Sequence, residues 1–322
     1  IINKTLQHLE GDHDVTYVLP VSHKKRVSID IQSLGLKKVE LIPVSAERAY
    51  RWRMLYHHLV IKSARSKKRK SKKPIYDLWK RFLGKRLFYK AWLTSLPGVF
   101  YFFKRKALRE IGEYPELNAL LERVKPDVIL HPTVLEGLFV SDLVRLGKKY
   151  RIPTIFLMNS WDNPIVKAMT VGLPDWLVVW GEHTKQIAIE YLGIPSDRIL
   201  TFGAAQFQVY REPPETSSEE FRTKLGISKS EKVVLYAGSS AGLDEVGHLK
   251  ILEAAVENGT LPKCRILYRP HPWRGKNAAE TNFFSIEWKF VKMDPQMTEY
   301  YKKSFVDPEA QSLTEIRGPT RE

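Results

Sequence analysis

The stretch DWLVVWGEHTKQIAIEYLGIPSDRILTFG, residues 175–203, holds a strand, a helix, a glycine stop and a second strand in close succession. Trp176, Leu177, Val178 and Val179 form a short apolar run with no polar alternation, as expected of a strand covered on both faces. Residues 182–193 place Ile187, Ile189 and Tyr191–Leu192 among polar residues and end on Gly193, a helix stop signal. The run RILTFG at 198–203 is again a strand. Strands joined by single helices must lie parallel, because an antiparallel pair needs only a tight turn.

Working outward, the alternation persists. Strands are expected at 15–20, 39–44, 125–132 and 152–158, with an opening helix at 1–10 and another helix at 135–150. Residues 46–110 read as long, basic, aromatic-rich helical segments. After the polar stretch YREPPETSSEE at 210–220, the alternation restarts with helix 220–226, strand 232–238, helix 249–259 and strands at 264–270 and 288–293. The expected architecture is α/β: two doubly wound, Rossmann-like parallel-sheet domains. The first spans 1–208 with a basic helical insertion at about 46–110, the linker spans 209–220, and a partial second domain spans 221–322. The first domain lacks an opening strand before its first helix. The second shows about three strands where five or six are usual, so the chain is expected to be clipped at both ends.

Composition bounds the partners. The chain has 322 residues, 43% of them hydrophobic, and a formal charge of +16. A charge that large calls for an anionic partner: nucleic acid, a membrane surface or phosphorylated substrates. The single cysteine, Cys264, precludes an internal disulfide and suits a reducing compartment. No apolar run approaches the roughly 20 residues that span a bilayer. The longest, LPGVFYFF at 96–103, adjoins Lys104 and Arg105.

Between Arg51 and Lys90 fifteen lysines and arginines face one acid, Asp77. The densest part, Lys67, Lys68, Arg69, Lys70, Lys72 and Lys73, lies among Trp52, Tyr56, Trp79, Phe82, Phe88, Tyr89 and Trp92. Cations mixed with aromatics suit an anionic bilayer surface. A solvated insertion over an aromatic core and a nucleic-acid surface are the alternatives, the last weakened by the absence of any zinc-finger or RNP-like pattern.

Ligands of open parallel sheets bind beyond the carboxyl ends of the strands. Five strand ends therefore matter. They carry His131, the cluster NSWDNP at 159–164, His183, the loop GSSAG at 238–242, and RPHPWRGK at 269–276. Gly238, Ser239 and Ser240 form a small-residue turn before a helix, suited to a phosphate or equally to a sterically tight βα turn. Pro270 and Pro272 end the strand and stiffen the turn around His271, while Arg269 and Arg274 offer forked donors to phosphate oxygens. His271 could then donate to a departing diphosphate; the alternative is a structural histidine with solvated arginines. Asp162 could remove a proton from an acceptor hydroxyl, oriented by Asn159 and Asn163 beside Trp161, or the cluster could be an Asx turn capping a helix. His131 and His183 are rival bases on the acceptor side. No metal constellation and no cofactor is expected.

At these residues a family resemblance appears. The run 173–207, with VVLYAGSS and RILYRPHP, resembles the GT-B class of nucleotide-sugar-dependent transferases, and is most similar to the CDP-glycerol glycerophosphotransferase and capsule-polysaccharide transferase groups. The resemblance covers roughly 120–300. It implies transfer of a glycosyl- or glycerophosphoryl-type group from a nucleotide-diphosphate donor to a polysaccharide or lipid-linked hydroxyl acceptor. It further implies a cytoplasmic enzyme, peripheral on the inner membrane face, with Gly238, Ser239, Arg269 and His271 at the donor diphosphate. The later half of the family's second domain has no counterpart in this chain, so the chain on its own could be inactive. The alternatives are a nucleotide-sugar epimerase on the same fold and a non-catalytic basic module that binds membrane or nucleic acid.

Overall fold

The computed structural model describes residues 5–22, 35–65, 72–133, 135, 137, 139–158, 160, 169–204, 207, 210–211, 213–214, 216–239, 243–271 and 281–299. The chain divides into two compact units, the first reaching Glu212 and the second running from Pro213. Every strand pair among the described residues is parallel. The α/β class expected from the sequence is the class observed.

The first unit opens with α1 (Thr5–Asp12), then β1 (Tyr17–Ser22) and β2 (Val39–Val44), which pair with each other. Three helices follow: α2 (Ala46–Arg65), α3 (Lys72–Thr94) and α4 (Pro97–Ile111). Gly84 interrupts α3 with φ 71° and ψ 162°, a combination that only glycine adopts without strain. Next come α5 (Pro115–Val124), β3 (Ile129–Thr133), α6 (Val140–Tyr150), β4 (Thr154–Met158), β5 (Trp176–Val179), α7 (Glu182–Ile187) and β6 (Ile199–Thr201). A single π-helical turn, Ala188–Leu192, extends α7 to Gly193, whose φ of 69° closes it. Strands β3 to β6 form one sheet in sequence order.

Ile42 and Val44 of β2 pack in the same core as Leu117, Leu121, Val144, Phe156, Leu177 and Ile199, so both sheets share one apolar layer. Two contacts set the spacing inside it. A Cβ on Gly147 would lie 2.5 Å from Thr154 Cγ2 and 2.9 Å from the Ile152 carbonyl, so glycine lets α6 close onto β4. The Thr154 hydroxyl and backbone N–H both donate to Asp175 Oδ2, at 2.8 and 2.9 Å, and the Asp175 N–H returns a bond to Thr154 Oγ1 at 3.0 Å. That clamp aligns the starts of β4 and β5. Helices α2 and α3 have a cluster of their own, built from Val60, Ile61, Ala64, Ile75, Trp79, Phe88 and Ala91.

The second unit contains α8 (Ser218–Leu225), β7 (Lys232–Ala237), α9 (Glu245–Glu257), β8 (Cys264–Arg269), the short α10 (Thr281–Phe284) and β9 (Val291–Met293), with strand order β7-β8-β9. Its core joins Leu249, Val256, Ile266, Tyr268, Phe283, Val291 and Met293. Helix α8 starts inside the polar stretch expected as linker. Ser217 Oγ accepts the Glu220 N–H at 3.2 Å while Glu220 Oε2 accepts the Ser217 N–H at 2.9 Å, a reciprocal cap that holds the helix start.

Candidate functional site

In the second unit the carboxyl ends of β7, β8 and β9 lie side by side. The Gly238 N–H donates to the Arg269 carbonyl at 2.9 Å, and the Asp294 N–H donates to the Tyr268 carbonyl at 2.8 Å. Residues 238–239, 269–271 and 294 therefore share one sheet edge. The first turn of α9 closes on that edge. Asp244 caps the helix by accepting the Gly247 N–H at 2.9 Å. Glu245, next in sequence, points inward and is 1% exposed.

Glu245 is the organising group. Its Oε1 accepts the Ser239 N–H at 2.6 Å and its Oε2 accepts the Tyr268 hydroxyl at 2.7 Å. A Cβ on residue 238 would fall 2.5 Å from Oε2, so glycine is needed there to make room for the carboxylate. The sequence suggests Gly238 and Ser239 for a donor phosphate or for a sterically tight βα turn; in the fold Glu245 fills the space beside Gly238 and accepts the Ser239 N–H.

Arg269 likewise arrives at the edge with a carboxylate attached. Its Nη1 lies 2.5 Å from Asp294 Oδ2, the side chains being 25% and 13% exposed. Asp294 Oδ1 accepts the Met297 N–H at 3.1 Å, which fixes the carboxylate. The guanidinium is thus oriented by protein rather than left to swing in solvent. Pro270 is buried, and His271 stands half-buried at the mouth of the strand. Glu245 and Asp294 are the residues that sequence reasoning missed. Asp294 was open to the same test as the others, since it directly follows β9; nothing in the sequence marks which acid near α9 turns inward. Ser240 and Arg274 lie outside the described residues.

In the first unit His131 sits within β3 rather than in a loop after it, because the strand continues to Thr133. Pro132 is accommodated because, among the described residues, β3 is the end strand of its sheet. The His131 ring lies 5.5 Å from that of Phe156, its register partner on β4. His183 is exposed in the first turn of α7. Asn159, Trp161, Asp162 and Asn163 lie outside the described residues, as do Lys67, Lys68, Arg69 and Lys70. Lys72 and Lys73 open α3, Lys73 exposed.

A cavity of about 540 Å³ lies in the first unit among Val21, Val44, Ser45, Arg48, Arg51 and Tyr114, at the carboxyl ends of β1 and β2. The sequence reading passed over it. Its cations are committed to the fold. Arg48 Nη2 meets Asp142 Oδ1 at 2.6 Å, and Nη1 donates to the Ile111 and Glu113 carbonyls, both at 2.9 Å. Its guanidinium carbon lies 4.1 Å from the centre of the Tyr114 ring. Arg51 donates to Glu47 at 2.5 Å and to the Glu110 carbonyl. Burial pushes the Asp142 carboxyl above its usual range, and the Arg48 charge opposes that rise without cancelling it. Burial, helped by the Glu116 charge, pushes the Tyr114 hydroxyl up to about 12, so it stays a donor, bonded to the Pro43 carbonyl at 2.7 Å.

Among the described residues no three His, Cys, Asp or Glu side chains gather as a metal site. No protein-family model matches the chain. No curated protein matches it. Among solved structures, the chain is similar to UDP-N-acetylglucosamine 2-epimerase from Rickettsia bellii, at 19% identity and a TM-score of 0.35 over 56% of this chain and 49% of that one. The chain thus spans about half the length of that protein.

Proposed function

We propose that the protein is a transferase that moves a glycosyl- or glycerophosphoryl-type group from a nucleotide-diphosphate donor to a hydroxyl acceptor in cell-surface polysaccharide assembly. The observation that supports this reading best is the carboxyl edge of β7–β9. There an arginine held by Asp294 and, two residues on, the half-buried His271 emerge together beside a helix start. That is the edge where open parallel sheets bind ligands. A cation and a proton donor at one strand end suit a departing phosphate, a nucleoside diphosphate in glycosyl transfer or a nucleoside monophosphate in glycerophosphoryl transfer.

In this reading the donor's diphosphate lies against Arg269 and His271. As the bond to the transferred group breaks, His271 donates its proton to the leaving phosphate oxygen. Asp162 takes the proton of the acceptor hydroxyl as the new bond forms. Asp294 keeps the guanidinium aimed, and Glu245 holds the 238–239 turn open. The enzyme works in the cytoplasm, at the inner face of the membrane where such acceptors are assembled.

The test is calorimetric titration of the full chain with UDP and CDP, followed by product analysis with donor and acceptor. We expect nucleotide binding that weakens about tenfold or more in His271→Ala, with the unfolding midpoint unchanged. A donor sugar altered without any acceptor would make the protein an epimerase. No affinity for any nucleoside diphosphate would leave a non-catalytic module.

A further inference from the structure

The helical region of the first unit ends in a rigid, apolar tip. Helix α3 stops at Thr94 and α4 begins at Pro97. Between them Ser95 is 1% exposed, and its hydroxyl donates to the Trp92 carbonyl at 2.6 Å. Arg65 of α2 reaches the same carbonyl at 3.0 Å, its guanidinium carbon 4.3 Å from the centre of the Trp92 ring. The turn is pinned from its inner side, where Phe88, Ala91 and Phe100 are buried.

The outer side is the reverse. Leu93 is 56% exposed, Leu96 37%, Val99 48%, Tyr101 61% and Phe102 72%. A structural turn in water has no reason to carry that much apolar surface on its outer side. Behind these residues come cations. Residues 80–110 contain nine lysines and arginines against a single acid, Glu110. Lys85, Arg86 and Lys90 are exposed on α3; Arg105, Lys106 and Arg109 are exposed on α4. Lys106 follows Phe102 by one helical turn, a rise of about 6 Å. Apolar side chains leading and cations following at that depth match the boundary between acyl chains and anionic headgroups.

We infer that the α3–α4 turn is a membrane-docking tip, and that its partner is an anionic phospholipid surface. A second copy of this chain would bring the same cations against one another. A nucleic acid would neutralise the cations and leave the leading Leu96, Val99 and Phe102 in water. Because the tip is already folded and braced by Arg65, docking needs no ordering of the turn. The inference deepens the membrane placement in the proposed function, and because it concerns the first unit and its test uses no nucleotide, it can fail or stand apart from the donor reading.

The experiment uses the full chain with vesicles of phosphatidylcholine and phosphatidylglycerol at about 7:3, and with phosphatidylcholine alone. We expect co-sedimentation only with the mixed vesicles, reduced in about 0.5 M NaCl. The double variant Leu96→Ser, Phe102→Ser should partition at least about tenfold more weakly while unfolding at the same denaturant concentration. A polarity-sensitive dye supplies the second measurement. Cys264 is 5% exposed, so a dye placed on Phe102→Cys labels one site. Its emission should shift to the blue with mixed vesicles and stay unchanged with phosphatidylcholine alone. Equal vesicle binding by the Ser variant, or no shift at residue 102, would overturn the inference. So would self-association that the Ser variant abolishes, in a protein that ignores vesicles.

Discussion

Tyr268 and Glu245 meet in the interior of the second unit, the tyrosine hydroxyl 2.7 Å from a carboxylate oxygen that is shut away from water. The other oxygen of the same carboxylate holds the Ser239 N–H. One side chain on α9 thereby ties the exits of β7 and β8 together. Replacing Glu245 with alanine removes the acceptor of a buried hydroxyl and of a part-buried N–H and opens a void. We expect a loss of about 2–4 kcal/mol in the stability of the second unit. Glu245→Gln keeps one acceptor oxygen and should cost less. Urea unfolding followed by tryptophan fluorescence checks both; a wild-type midpoint for Glu245→Ala would rule out this arrangement.

Arg48 and Asp142 form the deepest ion pair described in the first unit, with side chains 12% and 4% exposed. Breaking a buried pair from one side strands a charge, at a cost of about 3–5 kcal/mol, whereas removing both charges often restores most of it. Arg48→Met and Asp142→Leu should each be strongly destabilising, and the double variant should be more stable than the sum of the two predicts. A double-mutant cycle measures this directly. Additive losses would mean that the two groups do not act as a pair.

Gly147 offers a steric test of the α6–β4 contact. Alanine at this position meets both a methyl group and a backbone carbonyl, and the carbonyl cannot rotate away. The helix must shift, at about 1–3 kcal/mol. Alanine is normally the better helix former, so a stabilised Gly147→Ala would show that the helix stands farther from the strand than described.

His57 gives the fold a pH dependence of known sign. Burial, reinforced by the Arg53 charge, lowers its pKa to about 4 from 6.5. Between those values the unfolded chain binds the proton and the folded chain does not. Its contribution to stability is therefore whole above about pH 6.5 and falls as pH drops toward 4. Burial also lowers the pKa of its neighbour His58, adding in the same direction. The unfolding midpoint of wild type should drop between pH 7 and pH 5 by more than that of His57→Gln. Identical drops would remove His57 as a cause.

The strands were legible as uninterrupted apolar runs, a signal that held even for β7, where Val234 is 45% and Leu235 59% exposed. The strand expected at 39–44 is β2 residue for residue, and those expected at 152–158 and 232–238 shorten by only one or two positions at an end. The helix expected at 135–150 begins only at Val140. Leu135, Gly137 and Phe139 all have positive φ, which no α-helix admits. Leu135 and Phe139 are nevertheless buried, so a loop that tucks apolar side chains inward imitates a helical stripe. The linker expected at 209–220 contains the division between the two units at Glu212 and Pro213, and only its last three residues join α8, where Ser217 and Glu220 form the cap.

The edge of the second unit was half legible. Strand ends can be located from the apolar runs, and so Arg269 and His271 could be named. Which acid neutralises the arginine depends on the β8–β9 register, Tyr268 opposite Met293, and that pairing is set by packing between distant segments. The inward turn of Glu245 depends on the same packing, since its partner Tyr268 lies 23 residues away.

Helices α2 and α3 keep the cluster of Val60, Ile75, Trp79 and Phe88 apart from the layer that holds Phe156 and Leu177. The start of α2 is tied to the strand layer by Arg48 and Asp142, but the end of α2 and all of α3 pack on their own cluster and should form one unit of hydrogen exchange. Its amides should trade deuterium in concert, sooner than those of β3 to β5. A protein arranged in this way can loosen and reseat its basic arm while the strands beneath it keep their protons.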